Sequence, residues 1–174
     1  MTDQRPTIDW RDGVPIARAF DDPYYSLVGG LDETRHVFLA GNDLPARFGG
    51  NFCVGELGFG TGLNFLTTWQ AWQQAGCPGT LTFTSFEAFP MAPADMAQAL
   101  SAFPALSDLA QTLCRGWTPG DGPCEVAAGV TLRVVIGDAR VTLPLWDGQA
   151  DAWFLDGFSP ATNPISSKNS MSTP

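Results

Sequence analysis

The chain has 174 residues and a normal globular composition, with 44% apolar and 16% charged residues. Its formal net charge of −9 argues against nucleic-acid binding by electrostatics alone, because such binding needs a basic face. No apolar run approaches the roughly 20 residues of a membrane span, and the polar N-terminus lacks a secretory signal, so we expect a cytoplasmic protein that does not enter membranes.

The predicted elements start with a turn-rich segment and continue as alternating strands and helices. An Asp-Gly pair at 12–13 predicts a hairpin, a turn follows at 21–23, and 31–40 has the pattern of a helix. Strands are predicted at 52–56, 81–87, 125–127, 131–135 and 150–155, and helices at 63–75, 93–103 and 105–114. The segments 125–127 and 131–135 are predicted to form a second hairpin. This alternation predicts an α/β fold whose mostly parallel sheet is covered on both faces.

Cysteine, histidine and lysine usage excludes several kinds of site. The four cysteines are widely spaced and form no C-x-x-C pair, so we expect reduced thiols. His36 is the only histidine, which argues against a His-based zinc site and a Ser-His-Asp triad; we therefore predict no metal. Lys168 is the only lysine and does not follow a glycine loop, which excludes a P-loop.

The strongest motif is a glycine-rich loop, E-L-G-F-G-T-G-L-N-F at 56–65, between a predicted strand and a predicted helix. Its G-x-G-x-G spacing differs from the G-x-G-x-x-G of dinucleotide folds, and no Lys or Arg is nearby to meet a pyrophosphate. Glu56 suits a ligand with a cationic end, such as the amino group and sulfonium of S-adenosylmethionine. The alternative is a merely structural tight turn. The predicted cofactor-binding residues of the loop are Glu56, Gly58, Gly60, Thr61, Gly62 and Asn64.

Two acids after later strands are further candidates for cofactor binding. Glu87 lies 25 residues after Gly62, close to the roughly 20 expected of an acid that accepts both ribose hydroxyls. The alternative is a solvated carboxylate at a strand end. Asp138 could accept a hydrogen bond from an adenine amino group, and it could equally, or simultaneously, cap a helix.

The second strong motif is D-A-W-F-L-D-G-F-S-P at 151–160, where Asp156 follows a buried strand. Ligands of open α/β sheets bind beyond the carboxyl ends of the strands, so the four acids of these motifs should converge there. Asp156 could bind an acceptor amine, orient it and help to remove its proton. Phe158 could stack on a base or pack in the core. Asp156 and Phe158 are the predicted catalytic residues.

The segments 21–26, 33–39, 56–65, 83–90 and 151–164 together resemble one family. From about residue 8 to 164 the chain is similar to the methyltransferase domain of the bifunctional enzyme that finishes 5-methylaminomethyl-2-thiouridine at the tRNA wobble position. The resemblance implies a class I, Rossmann-like methyltransferase fold and S-adenosylmethionine as cofactor. It also implies tRNA as partner and methyl transfer to the aminomethyl nitrogen of the modified uridine. In that family FAD belongs to a separate oxidoreductase domain, of which we find nothing in this sequence.

The sequence departs from the family after Asn163-Pro164, where Ile165 replaces the start of the family's Asp-Met-Trp. We therefore expect an N-terminal fragment with an incomplete fold. Its parts are an extension at 1–50 containing a β-hairpin and a helix, a partial methyltransferase domain at 51–164 and a polar disordered tail at 165–174. Two alternatives stay open: a non-catalytic fragment or pseudoenzyme, and a nucleotide-dependent oxidoreductase.

Overall fold

The first part of the chain forms an antiparallel three-stranded sheet. The computed structural model describes residues 5–26, 29–120 and 122–156. The strands of this sheet are β1 (Ile8–Arg11), β2 (Val14–Ala17) and β3 (Asp22–Pro23). The predicted Asp-Gly hairpin is confirmed: Asp12 and Gly13 have φ of 50° and 79°, the positive values that a type I′ turn requires. In the turn predicted at 21–23, Asp21 has a positive φ. The other two residues form the short strand β3, which pairs with β2.

The helix predicted at 31–40 is confirmed as helical, with a hydrogen-bonding pattern that changes along its length. It comprises α1 (Gly30–Thr34), a π-helical turn (Arg35–Leu39) and a 3-10 turn (Ala40–Asn42). Tyr25, just before it, donates a hydrogen bond from its hydroxyl to the Ala99 carbonyl at 3.1 Å and packs edge-on against Phe103. These contacts hold the N-terminal segment against the rest of the fold. The domain boundary predicted at residue 50 stays a prediction.

The main sheet has five strands in the order β6-β7-β5-β4-β8. They are β4 (Asn51–Leu57), β5 (Thr80–Glu87), β6 (Cys124–Ala127), β7 (Val130–Ile136) and β8 (Ala152–Leu155). All neighbours are parallel except β6 and β7, which form the predicted second hairpin. The mostly parallel α/β sheet is thus confirmed, and four of its strands end at the same edge.

The helices of this part of the chain are α2 (Leu63–Gln74), α3 (Pro93–Leu100), α4 (Ser107–Arg115) and α5 (Ala139–Thr142), with 3-10 turns at Pro104–Leu106 and Leu143–Leu145. On one face of the sheet α2 buries Phe65 against Phe83, with ring centroids 5.3 Å apart. On the other face Trp153 lies so close to Gly55 that a Cβ there would be 2.7 Å from the indole ring. Both faces therefore carry side-chain layers.

Within the described ranges, no helix is long and apolar enough to span a bilayer. The predicted catalytic residue Phe158 and the tail predicted at 165–174 lie outside those ranges.

Candidate functional site

The glycine loop connects β4 to α2 at the carboxyl edge of the sheet, as the sequence predicts. Gly58, Gly60 and Gly62 have φ of 87°, 55° and 81°, values that residues with a Cβ rarely adopt. The Gly58 N–H donates to the Phe86 carbonyl at 2.9 Å, so the loop turns across the end of β5. Thr61 is buried within the loop. The loop backbone therefore forms a tight, closely packed turn at the sheet edge.

Glu87 lies at the end of β5, directly beside the glycine loop. Its Oε2 accepts a hydrogen bond from the Gly60 N–H at 3.0 Å, and its Oε1 accepts one from the Phe89 N–H at 2.8 Å. The side chain is buried, with a 9% exposed fraction. Two backbone donors therefore fix the carboxylate in one orientation, and each oxygen keeps a further lone pair for a ligand hydroxyl.

Glu56, near the end of β4, is completely buried. Burial raises the pKa of its carboxyl well above the usual range, and the negative charges of Asp156 and Glu87 raise it further, whereas Ser85 and Asn64 oppose the shift. Although Ser85 is its register neighbour on β5, Glu56 Oε2 and Ser85 Oγ make no hydrogen bond of normal geometry within the described chain. A protonated Glu56 would need only a small movement to donate to Ser85.

Asn64, in the first turn of α2, joins Glu56 to Asp156. Its Nδ2 donates to Glu56 Oε1 at 2.9 Å and to Asp156 Oδ2 at 2.6 Å. Asp156 is exposed at the end of β8, yet the surrounding protein desolvates its carboxylate enough to raise its pKa to about 6. The Asn64 hydrogen bond lowers this pKa, and the charges of Glu33 and Asp22 raise it. Asp156 therefore titrates close to neutrality, where it can both accept and return a proton.

Asp138 follows β7 and lies one strand further along the same edge, where the neighbouring Gly137 N–H donates to the Glu87 carbonyl at 2.9 Å. It caps α5 by accepting from the Arg140 N–H at 2.9 Å and forms an ion pair with the Arg140 side chain. These Arg140 interactions hold the pKa of Asp138 below its usual range. The capping alternative is thus observed, and a cofactor role for Asp138 stays a prediction.

Aromatic residues that the sequence analysis did not select complete the surroundings of the loop. A Cβ on Gly60 would lie 3.2 Å from the Tyr24 ring, so the N-terminal segment covers the loop. Burial raises the pKa of the Tyr24 hydroxyl, with a further contribution from the charge of Glu87. Below the loop Phe59 stacks on Trp117, with ring centroids 4.9 Å apart. Tyr24 falls within the 21–26 motif, which was the one available signal.

The site thus brings together a glycine turn, a buried carboxylate with fixed orientation and a carboxylate that titrates near neutrality. Such a set can hold a nucleoside by its hydroxyls and accept a proton from a bound amine. Within the described residues, no group of three or more His, Cys, Asp or Glu side chains is arranged to hold a metal ion.

Curated relatives match most of this chain. It is 45% identical over 174 residues to the tRNA 5-methylaminomethyl-2-thiouridine biosynthesis bifunctional protein MnmC of Chromobacterium violaceum, covering 94% of this chain and 26% of that protein. The protein of the same name from Pseudomonas fluorescens strain ATCC BAA-477 is 48% identical over 168 residues, with 90% and 26% coverage. The chain therefore spans about a quarter of the length of these relatives.

A family model and a solved structure agree with these matches. Residues 104–169 match a family described as S-adenosyl-L-methionine-dependent methyltransferase. The crystal structure of MnmC2 from Aquifex aeolicus superposes with a TM-score of 0.67 at 22% identity, covering 91% of this chain and 51% of that one. This superposition supports the predicted class I methyltransferase fold.

Proposed function

Because this chain is a homologue of the methyltransferase portion of the MnmC bifunctional proteins, we propose that it methylates tRNA with S-adenosylmethionine. The proposed substrate is the 5-aminomethyl group of 5-aminomethyl-2-thiouridine at the wobble position, and the product is 5-methylaminomethyl-2-thiouridine. We place the activity in the cytoplasm, where tRNA is available. FAD is assigned to the oxidoreductase domain that the resemblance implies for the bifunctional relatives, and to none of the residues described above.

The hydrogen bond between Glu87 and Gly60 is the observation that carries the cofactor assignment. It fixes a buried carboxylate beside a turn of three glycines with positive φ, which fits a ribose bound close to the backbone. Gly58, Gly60, Thr61 and Gly62 would line the cofactor, and Glu87 would accept its ribose hydroxyls. Asp138 would accept from the adenine amino group, although Arg140 competes for its oxygens.

Asp156 is the proposed proton acceptor on the substrate side. S-Adenosylmethionine supplies a methyl group bonded to a positively charged sulfur. The amine nitrogen of the substrate forms the new N–C bond, the S–C bond breaks, and the amine loses one proton. Asp156 would orient the amine through a hydrogen bond and take that proton, for which a pKa of about 6 is suitable near neutral pH. Phe158 stays a candidate for stacking on the uridine.

The charge of the chain bears on how tRNA would bind. Among the described residues, four arginines form ion pairs with aspartates: Arg11 with Asp21, Arg18 with Asp9, Arg35 with Asp32 and Arg140 with Asp138. With a net charge of −9, the chain offers little free positive charge for phosphates. We propose that tRNA recognition in the relatives relies substantially on segments beyond the quarter of their length matched here.

The direct test is a methyl-transfer assay with radiolabelled S-adenosylmethionine. The substrate is tRNA bearing 5-aminomethyl-2-thiouridine, fully modified tRNA is the matched control, and the full-length Chromobacterium violaceum relative is the comparison enzyme. We expect label only in the unmethylated tRNA, recovered as 5-methylaminomethyl-2-thiouridine. Cofactor binding without transfer would support the non-catalytic alternative, and binding of NADH instead would support the oxidoreductase alternative.

A further inference from the structure

Asn64 makes two contacts that connect the interior of the site to its surface. A single amide nitrogen donates to the buried Glu56 and to the exposed Asp156. The two donor hydrogens of an asparagine amide are all that it has, so both are committed to carboxyl groups. Asn64 is itself buried, with a 5% exposed fraction.

Glu56 is the fixed end of this connection. With no exposed surface, its carboxyl makes no contact with the space beyond the strand ends in this conformation. It extends from β4, whose backbone is paired on both sides by β5 and β8, so it has little freedom to move. A buried carboxyl of this kind can act on the reaction only through a neighbour.

We infer that Asn64 is a positioning residue, which uses Glu56 as an anchor to hold the Asp156 carboxylate in one orientation toward the acceptor amine. This inference rests on the proposed function for the role of Asp156. It assigns Glu56 and Asn64 to the acceptor side, in place of the cofactor contacts expected from the sequence. The covalent connection alone would leave the exposed Asp156 side chain free to rotate about its Cα–Cβ bond.

The charge state of Asp156 depends on the same contact. The Asn64 N–H stabilises the ionised carboxylate, whereas desolvation and the charges of Glu33 and Asp22 favour the protonated acid. Glu56, as a neutral acid, would accept from Asn64 without adding a negative charge beside Asp156. Loss of Asn64 would therefore raise the pKa of Asp156 and reduce the share of its proton-accepting form near neutral pH.

The decisive variant is Asn64→Leu, because leucine is nearly the same size as asparagine and has no hydrogen-bond donor. If leucine prevents folding, Asn64→Ala removes the donor with a smaller side chain. Gln111→Leu, on the exposed side of α4, is the matched control. The first measurement is the titration of the Asp156 carboxyl by carbon-13 NMR, with the resonance assigned by its loss in Asp156→Asn. We expect its pKa to rise in both Asn64 variants and to stay unchanged in the control.

Two further measurements separate positioning from cofactor binding. The dissociation constant of S-adenosylhomocysteine should change less than about twofold in Asn64→Leu and in Glu56→Gln, which keeps a neutral acceptor. In the methyl-transfer assay described above, kcat of Asn64→Leu should be roughly 10- to 100-fold lower than that of the wild type. The acidic limb of its pH profile should move to higher pH.

Distinct results would overturn the inference and the proposed function. Tenfold weaker binding of S-adenosylhomocysteine in both Asn64→Leu and Glu56→Gln, with an unchanged Asp156 titration, would make these residues cofactor ligands and overturn the inference alone. A wild-type chain that binds no S-adenosylhomocysteine would overturn the proposed function. The Asp156 titration would still decide whether Asn64 controls that carboxylate.

Discussion

The Glu87 carboxylate accepts a hydrogen bond from the backbone N–H of Gly60 at 3.0 Å, which joins the end of β5 to the middle of the glycine loop. The contact places the carboxylate directly beside the backbone of the turn, where Gly60 has no side chain of its own to separate them. It also makes the loop and the carboxylate one structural unit, so that a change in either should affect ligand binding at both.

The first prediction concerns Glu87. In Glu87→Ala, the affinity for S-adenosylhomocysteine should fall by about 1.5–3 kcal/mol, the usual value of hydrogen bonds to a charged group. Isothermal titration calorimetry measures this change, with Asp108→Asn on the exposed side of α4 as the control. An affinity equal to that of the wild type would show that the ribose binds elsewhere.

The second prediction concerns Gly62, where the loop enters α2. Its φ is 81°, and a Cβ would lie 2.9 Å from the Leu113 side chain and 3.0 Å from the Phe59 ring. Gly62→Ala should therefore lower the free energy of unfolding by about 1–3 kcal/mol, through backbone strain and overpacking. Urea denaturation measures it. Gly41→Ala is the matched control, because a Cβ there meets nothing within 4 Å. Equal stability of the two variants would contradict the loop geometry.

The third prediction uses the buried carboxyl of Glu56. Because burial raises its pKa in the folded protein, the folded state holds this proton to higher pH than the unfolded chain does. Below the ordinary carboxyl range both states are protonated and burial carries no charge penalty. As the pH rises above that range, wild-type protein should lose stability relative to Glu56→Gln, by up to about 1.4 kcal/mol per pH unit. A stability difference that stays constant between about pH 5 and 8 would contradict a protonated Glu56.

The fourth prediction concerns catalysis by Asp156. Asp156→Asn removes the proton acceptor but keeps the size of the side chain, so methyl transfer should fall by about 10²–10⁴. The affinity for S-adenosylhomocysteine should stay within about twofold. In the wild type the rate should rise with pH through about 6, as the carboxylate loses its proton. Near-normal turnover of the variant would make Asp156 a structural residue.

The sequence predicts the parallel part of this fold because β4 and β7 are mostly apolar, β5 is rich in Thr and Phe, and turn signals bound them. Local pattern is less informative where tertiary contacts decide the hydrogen bonding. No feature of the sequence at Arg35–Leu39 distinguishes its π-helical turn from an ordinary helix, and β3 is too short to have a pattern. The conformation of the π-helical turn and of β3 depends on contacts with neighbouring elements.

The candidate site was predictable in position and less so in detail. Strand-end acids and glycine spacing indicate which edge of the sheet is used, since parallel strands all end there. The linear pattern does not show whether an acid at a strand end is enclosed, so Glu56 resembles an exposed ligand although it is completely buried. The bridge from Asn64 to Asp156 joins residues 92 positions apart and depends on the order of β4 and β8 in the sheet.

Direct binding of the cofactor tests the central claim, that this glycine loop holds S-adenosylmethionine. Calorimetric titrations of the chain with S-adenosylhomocysteine and, separately, with NADH compare the two cofactor classes on the same protein. We predict saturable binding of S-adenosylhomocysteine with one site per chain, and no saturable binding of NADH. Saturable binding of NADH without binding of S-adenosylhomocysteine would contradict the assignment of the site to a methyltransferase.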